Sequence, residues 1–363
     1  MVTLFWPYIS PRVAPALTKV LSTRWIGQGP KVEELEKKFA DLTHAPHALA
    51  VNACTSALHL SLIVSGVEEA DEVITTPLTC SATNVPILYR RAKAVFADIK
   101  EETLNIDPAS VVSKITPKTR AILAVHWGGE PCDLDAIHEI GRKHRISVIE
   151  DAAHALGASY RGKPIGSLSD FTCFSFQAIK QITSGDGGML TVQDPERLRR
   201  AKLLRWYGMD RGCKGDIYEK HQIREVGYKY HMNDIVATMV MVQLDDLAAV
   251  NGRRKEITDR YRSELAHVPG LTLLRQAPDR ENGNWLFTVR VQKRDSFMRK
   301  LASEEIESSL VHVRCDAIPV FGGKRQELPV MDRVEKEYVC IPLHNHLTDD
   351  DIQKVIRVVR SGW

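Results

Sequence analysis

Lys180 follows the run Phe174-Ser175-Phe176-Gln177-Ala178-Ile179 and precedes Thr183-Ser184-Gly185-Asp186-Gly187-Gly188-Met189. Twenty-nine residues upstream, an apolar stretch ends in Ile149-Glu150-Asp151-Ala152-Ala153-His154. A lysine beyond one buried strand, with a carboxylate ending its neighbour, can do a defined job. The amine condenses with an aldehyde, and the carboxylate keeps a pyridine nitrogen protonated so that the ring accepts electrons. That is the protein's share of pyridoxal-phosphate chemistry.

On residue type alone, Lys180 would be a surface lysine. Its context argues otherwise. The aromatic run before it implies burial, and the glycines after it let backbone come close to a ligand. An amine buried there loses proton affinity by desolvation and can act as nucleophile and proton carrier. Asp151 also suits a helix N-cap, a role compatible with facing the sheet edge. His154, about one turn further on, either hydrogen-bonds a cofactor ring oxygen or packs as a core histidine. Asn52-Ala53-Cys54-Thr55-Ser56-Ala57-Leu58 passes from strand to helix. Backbone N–H groups at that helix start, beside the Thr55 and Ser56 hydroxyls, suit a phosphate; simple capping is the alternative. Ser175 is a third candidate phosphate ligand.

These residues need a frame that gathers them. Residues 47–51, 72–76, 93–97, 121–125, 146–149 and 170–175 read as short apolar strands, with helical patterns at 56–62, 84–91 and 134–145. Such alternation predicts an α/β fold with a mainly parallel sheet covered on both faces. Ligands of such sheets bind beyond the carboxyl ends of the strands, where Thr55, Thr79, His126, Asp151 and Ser175 fall. Residues 232–265 read as one long helix, and 271–274, 285–291 and 309–313 as strands of a smaller α+β domain. This divides the chain into a large domain, 1–250, and a small one, 251–363.

The 363 residues carry a formal net charge of +3, with 44% hydrophobic and 26% charged residues. Nothing in that balance favours nucleic acid or an anionic membrane as partner. No stretch approaches the roughly 18 apolar residues of a membrane helix, and the N-terminus lacks a leader's basic and apolar regions. Seven scattered cysteines without metal-type spacing read as reduced thiols. The expected location is the cytoplasm.

With these motifs in hand, the chain resembles the DegT/DnrJ/EryC1/StrS family of pyridoxal-phosphate enzymes, chiefly nucleotide-sugar aminotransferases. The resemblance covers nearly the whole chain. It runs from Trp25-Ile26-Gly27-Gln28-Gly29-Pro30 through Val125-His126-Trp127-Gly128-Gly129, Pro131-Cys132-Asp133 and the Asp151 and Lys180 motifs. Glu225-Val226-Gly227-Tyr228-Lys229-Tyr230 and Ile341-Pro342-Leu343-His344 complete it. It implies fold type I, with a seven-stranded large domain, and a homodimer with shared active sites. It also implies amino transfer, usually from L-glutamate, to a ketosugar on a nucleotide diphosphate.

By the same resemblance Lys180 binds the cofactor, Asp151 holds the pyridinium and His154 is its neighbour. Thr55, Ser56 and Ser175 hold the phosphate. Two positions depart from the family pattern. Cys80 stands where many relatives stack an aromatic ring on the cofactor. Lys229 stands where they carry an asparagine that reaches the partner subunit's phosphate. Substrate contacts are expected from Trp25, His312 and Arg314. The rival readings are a lysine-dependent eliminase or dehydratase on the same scaffold, and a silent cofactor-binding regulator. The absence of a G-x-G-x-x-G after the first strand speaks against a dinucleotide oxidoreductase.

Overall fold

The computed structural model describes residues 1–363. Seven strands form the central sheet: β1 (His47–Val51), β2 (Glu72–Thr75), β3 (Lys93–Phe96), β4 (Thr119–Val125), β5 (Ser147–Asp151), β6 (Phe171–Ser175) and β7 (Gly188–Val192). Their order is β1-β7-β6-β5-β4-β2-β3. All neighbouring pairs are parallel except those of β7, which runs antiparallel to both β1 and β6. The expected mainly parallel, seven-stranded α/β sheet is present.

Alternation along each strand divides the core between the two faces. Ile122 and Ala124 of β4 pack with helices Pro30–Thr43, Leu134–His144 and Asp234–Leu244. Ala121, Leu123 and Val125 pack with helices Cys54–Val64, Ser81–Tyr89 and Pro195–Arg205 on the other face. Helices cover both surfaces, so these strands are apolar throughout and their polar residues collect at the ends.

A second, antiparallel sheet contains β8 (Leu271–Leu273), β9 (Phe287–Val291) and β10 (Tyr338–Ile341), in that order. Helices Arg294–Ser303 and Asp349–Arg360 cover it, and Val2 from the N-terminus joins the same core. Helix Leu247–Leu265 touches both cores: Leu247 and Val250 pack in the large one, Ile257, Tyr261 and Leu265 in the small one. The expected division between domains 1–250 and 251–363 falls within this helix.

Three elements differ from expectation. The seventh strand is Gly188–Val192, hidden in the sequence because its start coincides with a glycine run. The long helix at 232–265 is two helices, Asp234–Leu244 and Leu247–Leu265, meeting at 60°. The bend lets the first lie on the large sheet and the second reach the small one. The Asp234 carboxylate also accepts the N–H groups of Gly29 and Val32, at 2.7 and 3.2 Å, and so caps helix Pro30–Thr43. Residues 309–313 form no strand. Ser309 makes an isolated bridge to Cys340, after which the chain departs and carries His312 towards the large sheet. No single helix is long and apolar enough to cross a membrane.

Candidate active site

Beyond β6 the chain folds back: Phe176 N–H donates to Gly187 O at 2.9 Å, and Ser184 N–H to Phe176 O at 3.0 Å. Gly185 takes φ +81°, a conformation that side chains disfavour. The loop turns Lys180 inward, leaving it 9% exposed. Both flanking residues are pinned. Trp285 Nε1–H donates to Ile179 O at 2.9 Å, and Gln181 Nε2–H donates to His154 O at 3.0 Å and Gly283 O at 3.2 Å. The Lys180 Nζ rests 3.6 Å from the centroid of the Trp285 ring.

Asp151 ends β5, beside Cys173 of β6. Its carboxylate accepts from Ala153 N–H at 3.0 Å and from the Thr83 hydroxyl at 2.7 Å; Thr83 in turn pairs with Thr79 at 2.7 Å. No helix follows Asp151, so the expected N-cap role is absent; the bond to Ala153 closes a local turn and coexists with the inward-facing role. Burial pushes the Asp151 pKa up, while the Ala153 N–H, the Thr83 hydroxyl and the Lys180 charge pull it back. Burial also lowers Lys180 to about 8, against the pull of Asp151, Cys54 and Cys80. Near neutral pH such an amine exchanges its proton readily.

Two histidines complete this wall. The His154 ring stacks on Trp285 at 3.8 Å and 21°, and His312 lies 6.3 Å beyond it at 19°. Burial, then the Lys180 charge, lowers both pKa values, His312 to about 4, so both rings are neutral at pH 7. Buried His154 Nδ1 and His312 Nε2 have no partner in the protein. Tyr338 donates its hydroxyl hydrogen to His312 O at 2.6 Å and fixes the segment.

Ala53, the N-cap of helix Cys54–Val64, offers no side-chain cap; Ser56 N–H donates to Ala53 O at 3.0 Å, which leaves the Cys54 and Thr55 N–H groups available. Ser56 is buried and donates to Asn52 Oδ1 at 2.7 Å; Ser175 Oγ accepts from Gln177 N–H at 3.3 Å. A Cβ on Gly188 would lie 2.5 Å from Ala53 C and Cys54 N. The glycine run was expected to admit a ligand. Its tightest approach is to the chain's own phosphate-type loop, which β7 thereby holds in place.

Alternation sends Glu150 to the opposite face from Asp151. Glu150 accepts from His126 Nε2 at 2.7 Å, and His126 Nδ1 accepts Cys132 N–H at 3.1 Å, so the imidazole proton sits on Nε2. Burial alone would raise Glu150; the hydrogen bonds that it accepts, that from His126 first, outweigh it and lower the pKa. His126, fully buried, braces the floor of the site.

The other expected residues are dispersed. Cys80 is the N-cap residue of helix Ser81–Tyr89 and lies near Lys180. Lys229 is exposed; its carbonyl accepts from Asn52 Nδ2 at 3.2 Å, while its ammonium lies 5.8 Å from the Tyr207 ring. Trp25, 41% exposed, packs under Arg24. Arg314 is engaged within the protein. It is buried and bidentate to Asp316 at 2.7 and 2.6 Å, with further bonds to Asp332 and Glu335, so its donors are spent inside the small domain. Thr83 and Trp285 were missed. The four-residue spacing of Thr79 and Thr83 across a strand-to-helix turn was a usable signal, whereas Trp285 read as an ordinary strand residue.

A mainly parallel sheet with a buried lysine and a hydrogen-bonded carboxylate beyond its strand ends defines a fold type I pyridoxal-phosphate enzyme. Comparison with known proteins agrees. The sequence model of the DegT/DnrJ/EryC1/StrS aminotransferase family matches residues 7–360, and the chain belongs to that family. It is 37% identical to the Bacillus subtilis spore coat polysaccharide biosynthesis protein SpsC, over 98% of this chain and 97% of that protein. It superimposes on the sugar aminotransferase CalS13 of Micromonospora echinospora with TM-score 0.96 and 34% identity, over 100% of both chains. The PMP form of Streptococcus pneumoniae Spr1654 matches with TM-score 0.93 and 29% identity, over 99% of this chain and 98% of that one.

The protein is a pyridoxal-phosphate-dependent aminotransferase. Its residues fit the cofactor: an inward lysine on an aromatic face, a buried carboxylate, an orphaned His154 nitrogen and an uncapped helix start.

Proposed function

We propose that the protein moves an amino group from L-glutamate to a ketosugar carried on a nucleotide diphosphate, in amino-sugar or polysaccharide biosynthesis. The carrying observation is the burial of Lys180 and Asp151 at one site, each held by separate partners. The descriptions of SpsC as a spore coat polysaccharide biosynthesis protein and of CalS13 as a sugar aminotransferase support the sugar class. Bound at this site, the cofactor supplies an electron sink that acidifies the donor's Cα–H.

Lys180 Nζ, poised near pH 8, takes that proton and returns it within the same pocket. Asp151 keeps its charge opposite the cofactor nitrogen because Thr83 and Ala153 donate to it. His154, neutral, would offer Nδ1 to the cofactor, while Thr55, Ser56, Ser175 and the Cys54 and Thr55 N–H groups would hold its phosphate. His312, whose buried Nε2 has no partner and whose ring lies 6.3 Å from His154, and Trp25 are the remaining candidates for the acceptor. A homodimer would bring Lys229 to the partner's phosphate as a point charge rather than as an amide. Seven unpaired cysteines support a cytoplasmic setting.

The test loads the protein with pyridoxamine phosphate and screens nucleotide-linked ketosugars for return of the aldehyde spectrum. Transfer of nitrogen from labelled glutamate to a sugar product is expected. Loss of water without nitrogen transfer would replace this reading with a dehydratase, and turnover of only non-sugar ketones would move the substrate class.

A further inference from the structure

We propose that Trp285 is a positioning residue that receives the Lys180 amine whenever that amine is free, and that orients His154 beside it. The indole touches both partners: Nζ at 3.6 Å from its centroid and the His154 ring at 3.8 Å. The first distance lies well inside the cation–π range of about 6 Å. Its Nε1–H holds Ile179 O at 2.9 Å, which sets the backbone immediately before the lysine.

The indole cannot turn away. It is fully buried, and its backbone N–H donates to Gly128 O at 2.9 Å. Phe5 stacks against it at 5.6 Å and 20°. Phe5 is itself held from the small domain, because Val2 N–H donates to Glu305 O at 2.7 Å and Leu4 N–H to Glu307 Oε2 at 2.8 Å. The lysine's resting place is therefore built by three distant segments: the N-terminus, the chain before β9 and the loop after β6.

The arrangement answers a problem of this chemistry. An aminotransferase lysine is free of the cofactor for half of its cycle, and a free ammonium beside a buried carboxylate tends to pair with it. A Lys180–Asp151 pair would occupy the charge that the cofactor nitrogen needs. An aromatic face attracts the ammonium more weakly than a carboxylate would, so the amine keeps its proton less tightly than in an ion pair and leaves Asp151 to Thr83 and Ala153. The inference rests on the lysine's role in the proposed function, but its test requires neither donor nor acceptor.

In protein loaded with pyridoxamine phosphate, the pH dependence of Lys180 acetylation by trace acetic anhydride is read by peptide mass spectrometry. Trp285→Leu, which keeps the site apolar but removes the ring, should lower the labelling midpoint by about half a unit. Trp285→Phe should restore it. Replacing Trp285 by its tetrafluorinated analogue, which keeps shape and N–H but weakens the π face, should lower the midpoint as leucine does, and decides the matter should the leucine protein not fold. An indole that only fills space would leave the fluorinated midpoint unchanged, or admit water and raise the midpoint in the leucine protein. Either result overturns the proposal.

Discussion

Thr83→Val removes one hydroxyl and almost no volume, and that hydroxyl is one of two protein donors to the Asp151 carboxylate. At 2.7 Å it is a short, charge-assisted bond. A hydrogen bond to a charged group contributes about 1.5–3 kcal/mol, and one pKa unit corresponds to about 1.4 kcal/mol. The Asp151 pKa, already raised by burial, should therefore climb a further one to two units. The sign follows from the bond's preference for the ionised form: without it, the carboxylate protonates at higher pH. A protonated Asp151 cannot hold a positive ring nitrogen, so the acid limb of kcat/KM should move up by about the same one to two units. Steady-state rates across the acid range, with melting curves as a control on folding, measure this. Thr83→Ser should track the wild type. Superimposable acid limbs for the wild type and a folded Thr83→Val protein would refute both the bond's role and the assignment of Asp151.

Other sites give independent tests. Gly188→Ala places a Cβ 2.5 Å from backbone atoms of Ala53 and Cys54, which cannot rotate away. The expected cost is about 3 kcal/mol, with weakened cofactor retention, read by melting and by equilibrium dialysis of pyridoxal phosphate. Arg314→Met strands the buried Asp316 carboxylate and should destabilise by roughly 3–5 kcal/mol while leaving both KM values within about twofold. A large KM increase at unchanged stability would restore Arg314 as a substrate residue. Glu150→Gln should cost about 1–2 kcal/mol at pH 7, because the bonds from His126 Nε2–H and the Thr172 hydroxyl lose their charged acceptor. Because the folded pKa of Glu150 is lowered, its stabilisation exists above the unfolded carboxylate pKa and fades as pH falls through the folded value. The difference between wild type and variant in urea unfolding should therefore shrink on acidification, and a constant difference would contradict the linkage.

The gap between expectation and structure is instructive at particular residues. Six of the seven large-sheet strands are apolar runs bounded by turns, and a local pattern suffices to find them. Gly188–Val192 escaped because glycine at a strand start ordinarily signals a turn, and its value here lies in a neighbour 135 positions away, Ala53. Ser309–Val313 has strand-like composition, yet only Ser309 pairs; the rest serves to deliver His312 to Lys180. Arg314, two residues on, meets partners that the sequence did not announce. A positive residue near a site invites a substrate role, but Asp316, Asp332 and Glu335 had already claimed it.

Lys180 and Asp151 were legible in the linear chain because the chemistry demands those side-chain types, and strand ends with short punctuating motifs are local features. The α/β class was legible for the same reason, since a parallel sheet buried on both faces must be written as alternating apolar strands and helices. Only the tertiary structure decided what surrounds the lysine. Trp285, Thr83, His312 and Phe5 reach the site from four separate segments, and nothing local distinguishes Trp285 and Phe5 from core residues. The physical reason is that a pKa or a stacking contact depends on distance and desolvation, which arise only when remote segments are packed together.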